Sequence, residues 1–306
     1  MFDKVKKYLH NPLLLYPYMS SKGLTKVVPD ELHLKLMYYS LFKKKLNLDN
    51  PVSYNEKLQW LKLHDRNPLY AQMVDKIAVK DWAKKQIGSD YIVQTLDVWG
   101  TAEEIDFDNL PNGFAMKTNH DSSGAILCKN RLEFDCEFAR RTIAKQLRYN
   151  HFYGGREWPY SQVKPMAFAE ELLPCDSGET DVADYKVGCF AGVPRIIEIH
   201  RNRSTRHTCD YYDTDWNRLD IQWSDIPFGE DMAKPERLVE MLELSCRLSA
   251  GLPHVRVDWY MVGARLLLGE MTLYNDSGFG CIDEYHDKLM GDWIDLSLAY
   301  DCKMQK

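Results

Sequence analysis

The stretch Val255-Arg256-Val257-Asp258-Trp259-Tyr260, the Gly263-Ala264 break and Leu266-Leu267-Leu268-Gly269-Glu270-Met271-Thr272 constrain this chain more than any other part of it. Two β-runs around a glycine make an antiparallel hairpin. The two-residue period sets Arg256 and Asp258 on one face, and Glu270 and Thr272 on one face of the partner strand. Loop length decides whether those faces coincide. A two-residue turn opposes Asp258 to Gly269 and sends Glu270 to the other side. A three-residue loop, 263–265, opposes Asp258 to Glu270 and Arg256 to Thr272. The second register is expected, and it sets two carboxylates face to face, which is costly unless a cation sits between them. Such a pair offers hard oxygens to Mg²⁺ and leaves room for nucleotide phosphates. A purely structural Arg–Asp–Glu network is the competing reading.

The rest of the chain supplies enough apolar mass, 45% of 306 residues, for one large domain or two to three lobes. No run of about 18 apolar residues exists to span a bilayer. The charged start, Met1-Phe2-Asp3-Lys4, does not read as a signal peptide. Eight cysteines are scattered without a C-x-x-C pair, so no zinc knuckle or redox motif is legible, and reduced thiols in a cytoplasmic protein are expected. Net charge is −6, yet residues 1–50 hold nine lysines against four acids. Lys4, Lys6, Lys7 and 43–45 suit an anionic membrane surface or a phosphate-rich partner, and equally a solvated helical face. An acidic chain without a reading motif is not expected to bind nucleic acid.

Residues 1–72 read as short helices broken at Pro12, Pro17, Gly23, Pro29 and Pro51, with a capping box from Ser53 to Glu56. A second helix is expected over 69–87, stopped by Gly88. The period then changes. Runs at 91–96, 114–117, 166–170 and 185–190 read as strands, and 133–149 as a helix, which makes the chain α+β. The divisions expected are 1–72, 73–170 and 171–306.

Besides the hairpin, five places hold chemistry-bearing residues. Lys117-Thr118-Asn119-His120-Asp121-Ser122-Ser123-Gly124 follows a strand, where backbone amides and an ammonium can wrap phosphate, as an ordinary polar turn also reads. Asp75-Lys76 alone is an adjacent charge pair. Ala169-Glu170-Glu171-Leu172-Leu173 runs from a strand into a polar turn. Arg201, Arg203 and Arg206 form a basic cluster suited to a uronate carboxylate or a nucleotide-sugar phosphate, or to solvent. Asp213-Thr214-Asp215 is a D-x-D of the kind glycosyltransferases use, and also a common loop sequence.

In order and spelling these segments resemble the TupA-like ATP-grasp family, named for teichuronopeptide biosynthesis. The resemblance runs through NPVSYNEKLQWLKLHDRNPLY (50–70), DKIAVKDWAKKQIG (75–88), LPNGFAMKTNHDSSG (110–124) and GREWPYSQVKPMAFAEELL (155–173). It continues through DYKVGCFAGVPR (184–195), YDTDWNRL (212–219) and VRVDWYMVGARLLLGEMTLYNDSGF (255–279). It implies an ATP-grasp fold, two α+β lobes clamping ATP and Mg²⁺ behind a helical N-terminal region. Lys76 and Lys117 then look like the phosphate-holding lysines, and Asn119, His120, Ser122, Ser123 and Gly124 like the phosphate-covering loop. Glu170, Glu171 and Leu173 resemble the adenine hinge, and Asp184 a ribose contact. Asp258 and Glu270 match the Mg²⁺ ligands, with Asn275 or Asp276 as a third contact, and Arg256 stands beside the transferred phosphate. Ser277-Gly278 approaches the substrate carboxylate.

Three departures from the family stand out: Asp121 in the phosphate loop, Asn275-Asp276 after the hairpin, and Thr272 where many relatives have asparagine. The function implied is an ATP-dependent carboxylate–amine ligase, joining a nucleotide-sugar or polysaccharide-precursor carboxylate to an amino acid or amine. A capsule glycosyltransferase and a non-catalytic ATP-binding subunit are the alternatives.

Overall fold

The computed structural model describes residues 12–121, 124–174, 182–221, 223 and 225–300. Ser122, Ser123 and the first lysines of the basic N-terminal run lie outside them. Among the described residues, strands β1 (Thr95–Trp99), β2 (Phe114–Thr118), β3 (Ile126–Cys128) and β4 (Ala167–Glu171) form one antiparallel sheet in the order β1-β4-β2-β3. A larger antiparallel sheet has the order β10-β9-β5-β6-β7-β8. Its strands are β5 (Asp184–Phe190), β6 (Val193–Arg201), β7 (Thr208–Tyr212), β8 (Arg218–Leu219), β9 (His254–Val262) and β10 (Arg265–Thr272).

Period-two patterning explains why each sheet has a dry face and a polar face. In the large sheet Val187, Cys189, Ile197, Ile199, Val255, Val257 and Trp259 are buried in one core, which also holds Leu58 and Leu61 of the helix Tyr54–His64 and Leu244 and Leu248 of the helix Leu238–Ser249. The alternate residues, Asp184, Lys186, Glu198, His200, Arg256, Asp258 and Tyr260, line a cleft on the other face. In the small sheet Phe114, Met116, Ala167 and Ala169 pack on Ala139 and Ile143 of the helix Cys136–Leu147. Ala115, Lys117 and Glu170 face the same cleft.

The Ser53–Glu56 capping box is formed, with both reciprocal hydrogen bonds present. The single helix expected over 69–87 is instead two, Leu69–Val74 and Ala78–Ile87. Asp75 adopts an extended backbone between them, and its Oδ1 accepts from the amides of Ile77 and Ala78. That carboxylate caps the second helix, so the helical pattern restarts and Lys76 is left in the break. Among the described residues no helix is long and apolar enough to cross a membrane.

Candidate active site

The two polar faces enclose a cleft of about 1210 Å³. That exceeds the roughly 300–1,000 Å³ of a usual small-molecule site, so the cleft has room for more than one small ligand. The hairpin register puts Asp258 opposite Glu270 and Arg256 opposite Thr272, as the pairing of faces requires. The means differ from the expected three-residue loop. Val262 pairs directly with Arg265 across a two-residue turn, and a bulge between Leu268 and Glu270 supplies the extra residue. Gly269 is that residue, and a Cβ there would come within 2.9 Å of the Tyr260 ring. A bulge adds one residue to one strand and so turns Glu270 back to the cleft face.

One cross-strand row therefore carries Glu270, Asp258, Lys186 and Glu198 over four neighbouring strands. Lys186 bonds Asp258 and stands 3.0 Å from Asp184. Arg256 grips Asp258 through two contacts of 2.7 Å, reaches Thr272 Oγ1 at 3.2 Å and donates to Asn275 Oδ1. Lys76, released by the helix break, lies 3.1 Å from Glu270 and donates to the backbone carbonyl of Asp121. Burial alone would raise the Glu270 carboxyl, but Lys76, Lys186 and Arg256 hold it far below the ordinary range. Burial acts likewise on Glu198, where the His200 hydrogen bond and the charges of Arg256 and Lys186 prevail and hold it at about 2.

Across the cleft, Glu170 accepts from two lysines, Lys117 at 2.5 Å and Lys80 at 2.7 Å. Burial would lower the Lys117 ammonium, yet Glu170, Tyr260 and Glu270 raise it above its ordinary value, so it stays charged. Glu171 pairs with Arg265 across the lobes, and Leu173 lines the cleft beside it. Asp184 accepts from Arg203 at 2.9 Å, while its other oxygen is buried without a partner among the described residues.

Several expected site residues stand elsewhere. Asn119 is wholly buried and ties Asp75, Lys164 and Met166 together through its amide, so it braces the loop instead of lining the cleft. His120 is consumed by the Tyr149 carbonyl and does not line the cleft either. Arg201 is drawn to buried Asp210, which it shares with Arg218, away from the cleft. Gly124 and Arg203 do line it. The D-x-D is a closed turn: Asp213 accepts from the amides of Asp215 and Asn217 and from the Asn217 side chain.

At one end of the cleft, Asp276 and Ser277 take the left-handed conformation in succession, with φ of 46° and 57°. Buried Lys62 and Gln59 hold this turn from behind. Lys62 donates to the carbonyls of Ser277 at 2.6 Å and Gly155 at 2.7 Å, and Gln59 to that of Gly278 at 2.6 Å. Ser277 in turn donates to Glu157 at 2.6 Å. Gly155 must lack a Cβ, which would sit 1.7 Å from Ser277 Oγ. Burial lowers the Lys62 ammonium to about 7, against the opposing pull of Glu157.

Lys186, Lys80, Glu198, Glu157 and Lys62 were not among the expected site residues. The period-two alternation of 184–190 places Lys186 on the Asp184 face, a signal open to the sequence. Lys62 gives none, because a lysine between two leucines on a helix reads as solvated.

The chain resembles several solved structures at low identity. Against the D-alanine–D-alanine ligase of Bacillus anthracis complexed with ATP, identity is 15% over 69% of this chain and 58% of that one, with a TM-score of 0.41. The corresponding enzyme of Helicobacter pylori gives 15%, 80%, 70% and 0.41. The ATP-grasp ligase PsnB with minimal precursor, Mg and ADP gives 10%, 83%, 65% and 0.37. This chain thus spans 58% to 70% of the length of these proteins. No curated protein sequence matches it. The family profile described as TupA-like ATPgrasp, by contrast, matches residues 56–295, the span that carries both sheets, the acid pair and the cleft lysines. The chain belongs to the TupA-like ATP-grasp family.

Proposed function

We propose that the protein is an ATP-dependent, ADP-forming carboxylate–amine ligase acting on a uronate-type sugar of a surface-polysaccharide precursor. One observation supports this most: Lys76, Lys117 and Lys186 converge with Arg256 and the Asp258/Glu270 pair on a single cleft between two sheets. The donor set fits the expected ligands. Asp258 and Glu270 offer hard carboxylate oxygens on facing strands. Cations hold Glu270 anionic, while burial raises the Asp258 carboxyl against the pull of Arg256 and Lys186. The Asp184 oxygen without a partner among the described residues suits a hydroxyl such as a ribose carries. Mg²⁺ held by Asp258 and Glu270 would neutralise charge on the β- and γ-phosphates.

The remaining work falls to side chains already in place. Lys117 and Lys76 bind phosphate oxygens, and Arg256 stabilises the transferring phosphoryl group. A substrate carboxylate oxygen attacks the γ-phosphorus, the bond to the β,γ-bridging oxygen breaks, and ADP departs. The amine then attacks the acyl carbon, phosphate leaves, and the nitrogen gives up a proton to form the amide. No protein nucleophile takes part, so catalysis is positioning and charge neutralisation.

The test is release of ADP and phosphate on a panel of uronic acids paired with amino acids and amino sugars. The joined product should weigh one water less than its two components. AMP and pyrophosphate would overturn the acyl-phosphate route. ADP release without an amine, with a stable phosphorylated sugar, would make the protein a kinase. Nucleotide release from a sugar donor with ATP idle would make it a glycosyltransferase, and ATP binding without turnover a non-catalytic subunit.

A further inference from the structure

The helix Asp30–Phe42 has two apolar sides. One buries Leu34, Met37 and Tyr38, and Met37 reaches the cleft. The other carries Leu32, Leu36 and Tyr39 at helical spacing, 50%, 38% and 46% exposed. The turn before the helix adds Leu24, 64% exposed, and Val27, 91% exposed. Single exposed apolar side chains are ordinary, but a stripe continuing into an apolar turn is not. The charges around it are mostly of one sign. Residues 12–45 contain six lysines, Lys22, Lys26, Lys35 and 43–45, all exposed, against only Asp30 and Glu31. The excess persists beside Lys35–Glu31 and Lys44–Glu284, the ion pairs these lysines make.

We propose that this helix and the turn before it form a docking surface for an anionic lipid bilayer, with Leu24 and Val27 entering the headgroup region and the lysines meeting lipid phosphates. Apolar side chains ringed by lysines suit that interface, where each lysine near the surface strengthens binding on the order of fivefold. A protein partner of this chemistry would have to be acidic at its rim and apolar at its centre, whereas a bilayer supplies both without shape complementarity. Docked this way, the cleft stands about one helix diameter, roughly 10 Å, from the lipid.

The experiment is sedimentation of the full chain with vesicles of phosphatidylglycerol mixed with phosphatidylcholine, against phosphatidylcholine alone. Binding should require the anionic lipid, weaken with salt and fall more than about tenfold in Leu24→Glu/Val27→Glu and in Lys22→Glu/Lys26→Glu. Both variants change exposed side chains, so their melting temperatures should match the parent protein and exclude misfolding. Absence of binding to anionic vesicles, or binding unchanged in either variant, overturns the proposal. So does a concentration-dependent dimer that the Leu24→Glu/Val27→Glu change dissolves, because a second copy would then be the occupant. The assay reads binding and not turnover, so its failure leaves the ligase reading standing.

Discussion

The two sheets that enclose the cleft are charged in opposite senses. On the small sheet's side, Glu171 is neutralised by Arg265, and Lys80 and Lys117 share one carboxylate, Glu170, which leaves a positive excess. On the large sheet's side, Asp184, Glu198, Asp258 and Glu270 still outnumber Lys186, Arg203 and Arg256, which leaves a negative one. Each side is partly self-compensated, and each keeps a net sign of its own. A polyphosphate suits the first side and a divalent cation the second. On the proposed function, that difference is what lets one cleft take an anion and a cation together.

Removing an acid from the large sheet should have the largest effect and should split by burial. The Asp258 side chain is 3% exposed between Lys186 and Arg256, whereas that of Glu270 is 32% exposed. Asp258→Asn leaves two buried cations undercompensated, so it should cost about 3–5 kcal/mol of stability along with turnover. Glu270→Gln should lower ADP release on the order of a hundredfold and cost less stability than Asp258→Asn. Equal melting of the two variants would break the distinction. On the small sheet, Lys117→Ala should weaken nucleotide binding about tenfold to a hundredfold by calorimetry, as loss of a charge-assisted contact does. Lys80→Ala, one step removed, should cost less.

Lys62 sharpens the contrast from outside both sheets. Its ammonium, held at about 7, loses its proton in the folded protein well before the unfolded chain does near 10.4. Over that window the unfolded state binds the extra proton, so stability should rise with pH, by at most about 1.4 kcal/mol per pH unit. Urea midpoints at about pH 6.5 and about pH 9.5 should show the rise in the parent protein and a smaller one in Lys62→Met. Gly269→Ala should have the smallest effect, a loss on the order of 1 kcal/mol as the Tyr260 ring gives way at the bulge.

Much of this cleft was legible in the sequence because it rests on local rules. Alternation identified the strands around Lys117, Glu170 and Asp258, and Ser53 with Glu56 announced its helix. The misses share another cause. The bulge at Gly269 depends on packing against Tyr260, and the break at Asp75 on a carboxylate outcompeting a helical pattern that continues on both sides. Asn119 and Arg201 have the chemistry of ligand contacts, but neighbours distant in sequence, Lys164 and Asp210 among them, claim their donors. Lys62 is buried only because the turn at Ser277 closes over it.

The most direct test is calorimetric titration of ATP into the parent protein and Glu270→Gln, with and without Mg²⁺. Binding should strengthen with Mg²⁺ in the parent and lose most of that gain in the variant. An affinity indifferent to Mg²⁺, or a gain that survives the loss of Glu270, would contradict a cleft in which the acid pair and the lysines act on one triphosphate.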